Sequence, residues 1–273
     1  MGDKPFYIGE SLMYSPVLLA ETASQAIGAV ARIMQMSTAI SLSVEIIQND
    51  QNLQISCITI HAWNGPVYIF DLLSGGVAMV NGPRGLRALL ECPTIMKIVF
   101  NCQDIAQWLW KSFKIRLGFA ADAAIAYKMF ENIEDSEKLN ANEFSKKIEN
   151  TEIPFWENIK EEITVKNNKD FWKQRPLLYH MHSYLSGYVI LLIKGWDDVR
   201  GYLNDEQVYQ IFQNTQQMLA KIYPALKNEG YERTENYSKF EFKSNLNNFT
   251  LDRISVEYVL NKILNQPGTE PLK

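Results

Sequence analysis

Three short apolar segments near the start of the chain, separated by turn residues, constrain the fold more than any other sequence feature. Residues 39–47, 53–61 and 67–71 are rich in apolar side chains and indicate short strands, and apolar residues alternate over 53–61. Asn49-Asp50 and Asn64-Gly65-Pro66 lie between them, and such residues favour tight turns. The segments therefore predict an antiparallel β-meander.

Helices and strands alternate on both sides of this meander, which is the pattern of α/β proteins. The other predicted elements are a helix over 21–36, a helix starting at Pro83, a buried strand over 95–100, a helix over 104–113, an extended segment over 115–121, a helix over 123–130 capped by Asp122, and helices over 177–194, 207–223 and 254–264. The order predicts a mixed sheet flanked by helices, although several α/β folds share it.

Residues 131–170 differ in character from the rest of the chain. Acidic residues outnumber basic ones, apolar spacing is weak, and Pro154-Phe155-Trp156 interrupts the segment. We expect a solvated insertion or a set of peripheral helices there, with local disorder.

Composition limits the classes of protein to consider. No stretch resembles a signal peptide or a transmembrane helix, so membrane insertion is not expected. Cys57, Cys92 and Cys102 lack CxxC spacing, which indicates reduced thiols in a cytosolic or nuclear protein. His180 and His182 have no ligand-type neighbours, so no zinc site is expected. The net charge of −4 is not typical of a dedicated nucleic-acid binder, so any RNA contact requires a local basic face.

Short motifs in three parts of the chain carry a resemblance to a known family. They are Ser43-Val-Glu45, then Lys97-Ile-Val-Phe-Asn-Cys-Gln103 with Phe113-Lys-Ile-Arg-Leu117 and Ala121-Asp122, and finally Arg175-Pro-Leu177 with Tyr184-Leu-Ser-Gly-Tyr188. In order and spacing they resemble the three motifs of the DEDD 3′-5′ exonucleases, in the branch of Egalitarian and exonuclease 3′-5′ domain-containing protein 1.

The resemblance covers about residues 16–200 and implies a ribonuclease H-like fold. We therefore expect residues 1–200 to form an exonuclease-like domain that contains the 131–170 insertion. Residues 201–273 are expected to form a helical C-terminal extension.

The resemblance also assigns residues to the family's metal site. In these nucleases four acidic residues hold two divalent ions, which need oxygen ligands. Ser43, Ile105 and Tyr188 stand where three of the four acids are expected, and Glu45 is the acid retained. Tyr184, which in the family orients the attacking water, is also retained. With one carboxylate of four, we expect no metal, no cofactor and no nuclease activity.

Asp104 offers an alternative ligand beside Ile105, because a one-residue gap would align it with the second motif. Adjacent helical residues differ in direction by about 100°, so the two positions are not equivalent. The gap would also break the match at Phe113 and Leu117.

Basic residues lie near two of the motifs. Lys111, Lys114 and Arg116 follow the second motif, and Lys173 lies beside Arg175. Such residues usually form solvated surface, and Arg175 equally suits an anchor for a carboxylate or the backbone. Their proximity to the predicted cleft makes all five candidates for contact with RNA phosphates.

The resemblance implies a catalytically inactive exonuclease domain that acts as an RNA-binding adaptor. In this branch it further implies the PIWI-interacting RNA pathway, single-stranded RNA, Tudor-domain and helicase partners, cytoplasmic RNA granules and a homodimer. Two alternatives remain open at this stage. One is an active nuclease with a rearranged or single-metal site, and the other is a protein scaffold that does not contact RNA.

Overall fold

A six-stranded mixed sheet forms the centre of the computed structural model, which describes residues 15–49, 52–63, 65–82, 84–133 and 139–223. The strands are β1 (Val17–Ala20), β2 (Ala39–Asn49), β3 (Asn52–Ala62), β4 (Val67–Asp71), β5 (Met96–Val99) and β6 (Ala120–Asp122). The helices are α1 (Ala23–Met36), α2 (Leu72–Gly75), α3 (Ala78–Asn81), α4 (Leu86–Leu90), α5 (Cys102–Phe113), α6 (Ala123–Glu131), α7 (Ala141–Glu149), α8 (Trp156–Lys160), α9 (Tyr179–Gly201) and α10 (Asp205–Ile222).

The strand order is β1-β4-β3-β2-β5-β6. The strands β2, β3 and β4 pair antiparallel, which confirms the predicted meander. On one side β1 runs parallel to β4, and on the other β5 runs parallel to β2 and β6 parallel to β5. The sheet is therefore mixed, as the alternating pattern predicted.

Alternation along β2 separates two apolar clusters, one on each side of the sheet. Ile40, Leu42 and Val44 pack with residues of α1 and α5 on the side that we call the α1 face. On the opposite side, called the α9 face, residues of α6, α7 and α9 cover the sheet. Ser41 lies on this second side, where its Oγ donates to the carbonyl of Val189 in α9 at 2.6 Å.

Side-chain caps fix where several helices begin. The hydroxyl of Thr22 accepts from the backbone N–H of Gln25 at the start of α1. Asp122 accepts from the N–H of Ala124 at 2.9 Å, which confirms its predicted role as the cap of α6. Both α7 and α10 begin with a capping box.

Helices α7 and α9 approach each other closely at Gly195. A Cβ atom added there would lie 2.6 Å from Cε1 of the buried Phe144 ring. The missing side chain at Gly195 is therefore what allows the Phe144 ring to fill the space between the two helices.

Part of the predicted insertion belongs to the core. Within residues 131–133 and 139–170, α7 and α8 form, and Phe144, Ile153 and Ile159 are buried in the cluster of the α9 face. Helices therefore form in this segment, which was one of the two expectations, and α9 supplies a partner surface for their apolar side chains that the local sequence does not reveal.

The final described helix packs on the same core. Along α10, Val208, Ile211 and Phe212 are buried beside β6 and α6. The predicted helix over 254–264, Asp50, Asn64 and Pro83 lie outside the described residues. Among the helices that are described, none has both the length and the apolarity required to span a bilayer.

Candidate functional site

Ser43 and Glu45 lie next to each other on the α9 face of β2. Ser43 pairs across the sheet with Thr59, and Glu45 pairs with Cys57. The pairing register shifts directly after Glu45, which leaves Ser56 as an extra residue on β3. Such a bulge redirects side chains locally and is common beside active sites. The first motif therefore lies where the sheet is irregular.

Burial changes the acid–base character of Glu45. The side chain is half-buried, and desolvation raises the pKa of its carboxyl from 4.5 to about 8. Burial also raises the pKa of the neighbouring Cys57 thiol, and the charge of Glu45 adds to that effect. At neutral pH the protonated, uncharged carboxyl is therefore the favoured form of Glu45.

Tyr184 and Tyr188 face Glu45 from α9, one helical turn apart, as the spacing predicted. Their rings are 6.1 Å apart. Burial raises the pKa of both phenols, and the charge of Glu45 is the second cause in each case. The structure thus brings Glu45, Tyr184 and Tyr188 into one cluster, on the same sheet face as Ser43.

Aromatic rings surround Tyr184 and fill the space above this part of the sheet. Trp156 stacks on Tyr184 with a centroid separation of 6.1 Å, and Trp172 lies 6.0 Å away on a tilted ring. Tyr184 is only 8% exposed as a result. Neither tryptophan belongs to a motif recognisable in the sequence, although Trp172 precedes the Arg175-Pro176 motif by only three residues.

Ile105 takes a different place from the other motif residues. It is 4% exposed and belongs to the apolar cluster of the α1 face, together with Ala106 and Leu109 of the same helix. This position therefore contributes an alkyl group to the core.

Asp104, the alternative ligand, lines a groove between α5, α6 and α10, and its carboxylate accepts from the amide of Asn101 at 2.5 Å.

Arg175 is held by the protein through its whole guanidinium group. Its Nε and one terminal nitrogen donate to the two oxygens of Asp71 at 2.6 and 2.8 Å. Further bonds reach the hydroxyl of Ser56 and the carbonyls of Trp172 and Gln174. The anchoring role considered from the sequence matches this geometry, whereas a phosphate would have to displace existing partners. The partner Asp71 could not be identified from the sequence, because it lies 104 residues away.

The other basic candidates form two separate groups. Lys173 pairs with Asp170 at 2.6 Å on the turn before Arg175. Lys111, Lys114 and Arg116 lie at the end of α5 and just after it, beyond the opposite side of the sheet. The five candidates therefore do not form one surface around Glu45. Among the described residues, no group of three or more His, Cys, Asp or Glu side chains could hold a metal ion.

Solved structures of 3′-5′ exonucleases share this fold. Trypanosoma brucei RNase D matches with a TM-score of 0.64 and 17% identity, over 74% of this chain and 71% of that one. The catalytic core of RRP6 from Trypanosoma brucei gives 0.64 and 17% over 80% and 55%. The Aedes aegypti Nibbler EXO domain gives 0.54 and 14% over 80% and 99%. A further Trypanosoma brucei RNase D structure is a complex with RNA U12.

No protein-family model and no curated protein matches the sequence. At such low identities the structural matches establish the fold alone, and they confirm the predicted ribonuclease H-like architecture of the DEDD exonucleases.

Proposed function

We propose that this chain, which has the fold of the DEDD 3′-5′ exonucleases, is a catalytically inactive member of that group and acts as an RNA-binding adaptor. The chemistry at the four motif positions carries the first part of the proposal. Only Glu45 bears a carboxyl, while Ser43, Ile105 and Tyr188 offer a hydroxyl, an alkyl group and a phenol.

These residues do not fit a pair of divalent ions. Hard cations need several charged oxygen donors, and an alkyl side chain supplies none. Glu45 is the one carboxyl at the four motif positions, and a single carboxylate supplies too few oxygen donors for two ions. Trp156 and Trp172 additionally occupy the space around Tyr184.

Nuclease assays with a single-residue control test the inactive state. A 5′-labelled single-stranded RNA is incubated with the full chain and Mg²⁺ or Mn²⁺, and its length is followed on a denaturing gel. We expect no shortening from the 3′ end. Metal-dependent shortening that disappears in Glu45→Gln would favour the alternative of an active nuclease with a rearranged site.

The adaptor role rests on the resemblance to the Egalitarian branch and on the RNA-bound structural neighbour. We further propose that the protein works in a complex of the PIWI-interacting RNA pathway, with Tudor-domain and helicase partners. The complex is expected in cytoplasmic RNA granules, and the protein is expected to be a homodimer. Binding of single-stranded RNA that weakens with salt would support the adaptor. Recovery of Tudor-domain and helicase proteins without any affinity for RNA would instead favour a scaffold.

Sedimentation of the purified chain tests the dimer, since a mass near twice 31.4 kDa is expected. Microscopy of the tagged protein tests the granules. A diffuse distribution that does not overlap with a granule marker would contradict that part of the proposal.

A further inference from the structure

A large groove lies beside the edge strand β6, between α5, α6 and α10. Its volume is about 1310 Å³. Pockets for small molecules typically measure about 300–1,000 Å³, so this groove is better matched to a segment of a polymer.

Lysines from all three helices line the groove. Lys111 comes from α5, Lys128 from α6 and Lys221 from α10. Two acids also line it, but Asp122 accepts backbone N–H groups and Asp104 accepts an amide. Lys111 and Lys221 are exposed, and neither forms a salt bridge with any residue that the structure describes. The groove therefore has a cationic rim on a chain of net charge −4.

Amide side chains and one indole complete the lining. Gln103, Gln107 and Gln217 each present a hydrogen-bond donor and an acceptor. Trp110 also lines the groove. Tyr223 contacts its ring edge-on at a centroid separation of 5.6 Å, and the ammonium group of Lys114 lies 5.1 Å from the ring centre. Amides can pair with the edges of nucleobases, and tryptophan rings stack on unpaired bases. Together with lysines that reach phosphates, this is the chemistry of a single-stranded nucleic-acid site.

The cluster around Glu45 lacks these properties. Arg175, whose charge acts on the neighbouring Cys57, is already bonded to Asp71 and the backbone. The aromatic rings of the cluster stack on one another around the buried Tyr184. Of the side chains that the structure describes, Lys111 and Lys221 at the groove are exposed without a salt bridge, whereas Arg175 beside the cluster already has its partners.

We propose that the α5–α6–α10 groove, and not the cluster around Glu45, binds single-stranded RNA, with Lys111 and Lys221 at the phosphates and Trp110 stacked on a base. The proposal rests on the proposed function, because it names the site through which an adaptor would hold RNA. It requires no metal and no catalysis.

Charge reversal on the full-length chain tests the groove. Fluorescence anisotropy measures binding of a labelled oligouridine to wild type, to Lys111→Glu/Lys221→Glu and to a control, Arg32→Glu/Lys160→Glu. The two double variants change the net charge equally, and the control side chains are exposed on α1 and α8, away from the groove. We expect the groove variant to bind at least about tenfold more weakly at low salt. Its log–log salt slope should fall by about 1.4, or about 0.7 for each lost phosphate contact.

A tryptophan variant separates stacking from charge. Trp110→Leu should weaken binding by about tenfold without changing the salt slope, because base stacking does not release counterions. Photocrosslinking of 4-thiouridine RNA should label peptides of α5 and α10. Melting temperatures near that of wild type for every variant establish that the folds are intact.

Several outcomes would overturn the proposal in distinguishable ways. If wild type binds RNA and the groove variants bind equally well, the groove is refuted while the adaptor function stands. If the groove and control variants lose the same amount of RNA affinity, the groove is also refuted as the binding site. If wild type binds no RNA, both the groove and the RNA-binding function fail. Competition by polyglutamate as strong as that by RNA would identify an acidic protein segment as the occupant instead.

Discussion

The raised pKa of Glu45 predicts how the stability of this protein depends on pH. The folded-state pKa of about 8 lies above the reference value of 4.5. Between these two values the folded chain binds a proton that the unfolded chain has lost. The free energy of unfolding therefore falls as pH rises through this window, by at most about 1.4 kcal/mol for each pH unit.

Replacing Glu45 by Gln removes this dependence while preserving size and hydrogen-bonding capacity. The unfolding free energy of Glu45→Gln is compared with that of wild type at pH 5.5 and at pH 7.5. Proton linkage predicts that the difference between the two proteins grows by about 2.5 kcal/mol over this range. Partial solvent access to Glu45 lowers the expectation to about 1–2.5 kcal/mol. The variant should be the more stable protein, with the larger advantage at pH 7.5.

Urea unfolding of both proteins at the two pH values, followed by circular dichroism, measures how the difference in their unfolding free energies changes with pH. Glu157→Gln, on the exposed surface of α8, serves as a control and should differ from wild type equally at both pH values. The difference in unfolding free energy between Glu45→Gln and wild type could also change by less than about 0.5 kcal/mol from pH 5.5 to 7.5. That result would refute the conclusion that burial raises the pKa of the Glu45 carboxyl.

Three further substitutions test other features of the fold. Gly195→Ala should destabilise the chain by about 1–3 kcal/mol in urea unfolding, because its Cβ would contact the ring of Phe144. Arg175→Lys should cost about 2–4 kcal/mol in the same assay, since a lysine cannot replace the two bonds to Asp71. His61 is buried with its pKa lowered to about 4, so stability should fall as pH drops from 6.5 towards 4. His61→Gln should reduce that fall by about 2 kcal/mol.

Matched controls make these results interpretable. Gly28 lies exposed on α1 with no atom within 4 Å of an added Cβ, so Gly28→Ala should stabilise by about 0.5–1 kcal/mol. Destabilisation by both glycine variants, or by neither, would contradict the packing argument. Lys173→Met should change stability by less than about 0.5 kcal/mol, as expected for an exposed ion pair. Between pH 4.5 and 6.5, His61 and Glu45 make the unfolding free energy change with pH in opposite directions. Comparison of each single variant with wild type separates the two contributions.

The sheet and most of its helices could be predicted because their signals are local. Alternating apolar residues fixed the meander, and the Asp122 cap marked the start of α6. Turn residues between the strands set their limits to within a few positions. The end of α9 was predicted at residue 194, whereas the helix continues to Gly201 because Trp196 and Val199 remain buried.

The surroundings of the candidate site could not be predicted, because they depend on contacts between distant parts of the chain. Arg175 and Asp71 are 104 residues apart. Trp156 reaches Tyr184 from a segment whose polar composition suggested a solvated insertion. Spacing along the chain could suggest that Tyr184 and Tyr188 share a helix face, but it could not reveal which rings cover them.

The burial of Ile105 makes a charged side chain costly at this position of α5. An aspartate at that position would be desolvated beside Ala106 and Leu109, at a cost of several kcal/mol. That cost is a large share of the about 5–15 kcal/mol that stabilises a typical domain. A carboxylate could therefore occupy position 105 only if the surrounding side chains of α5 were repacked.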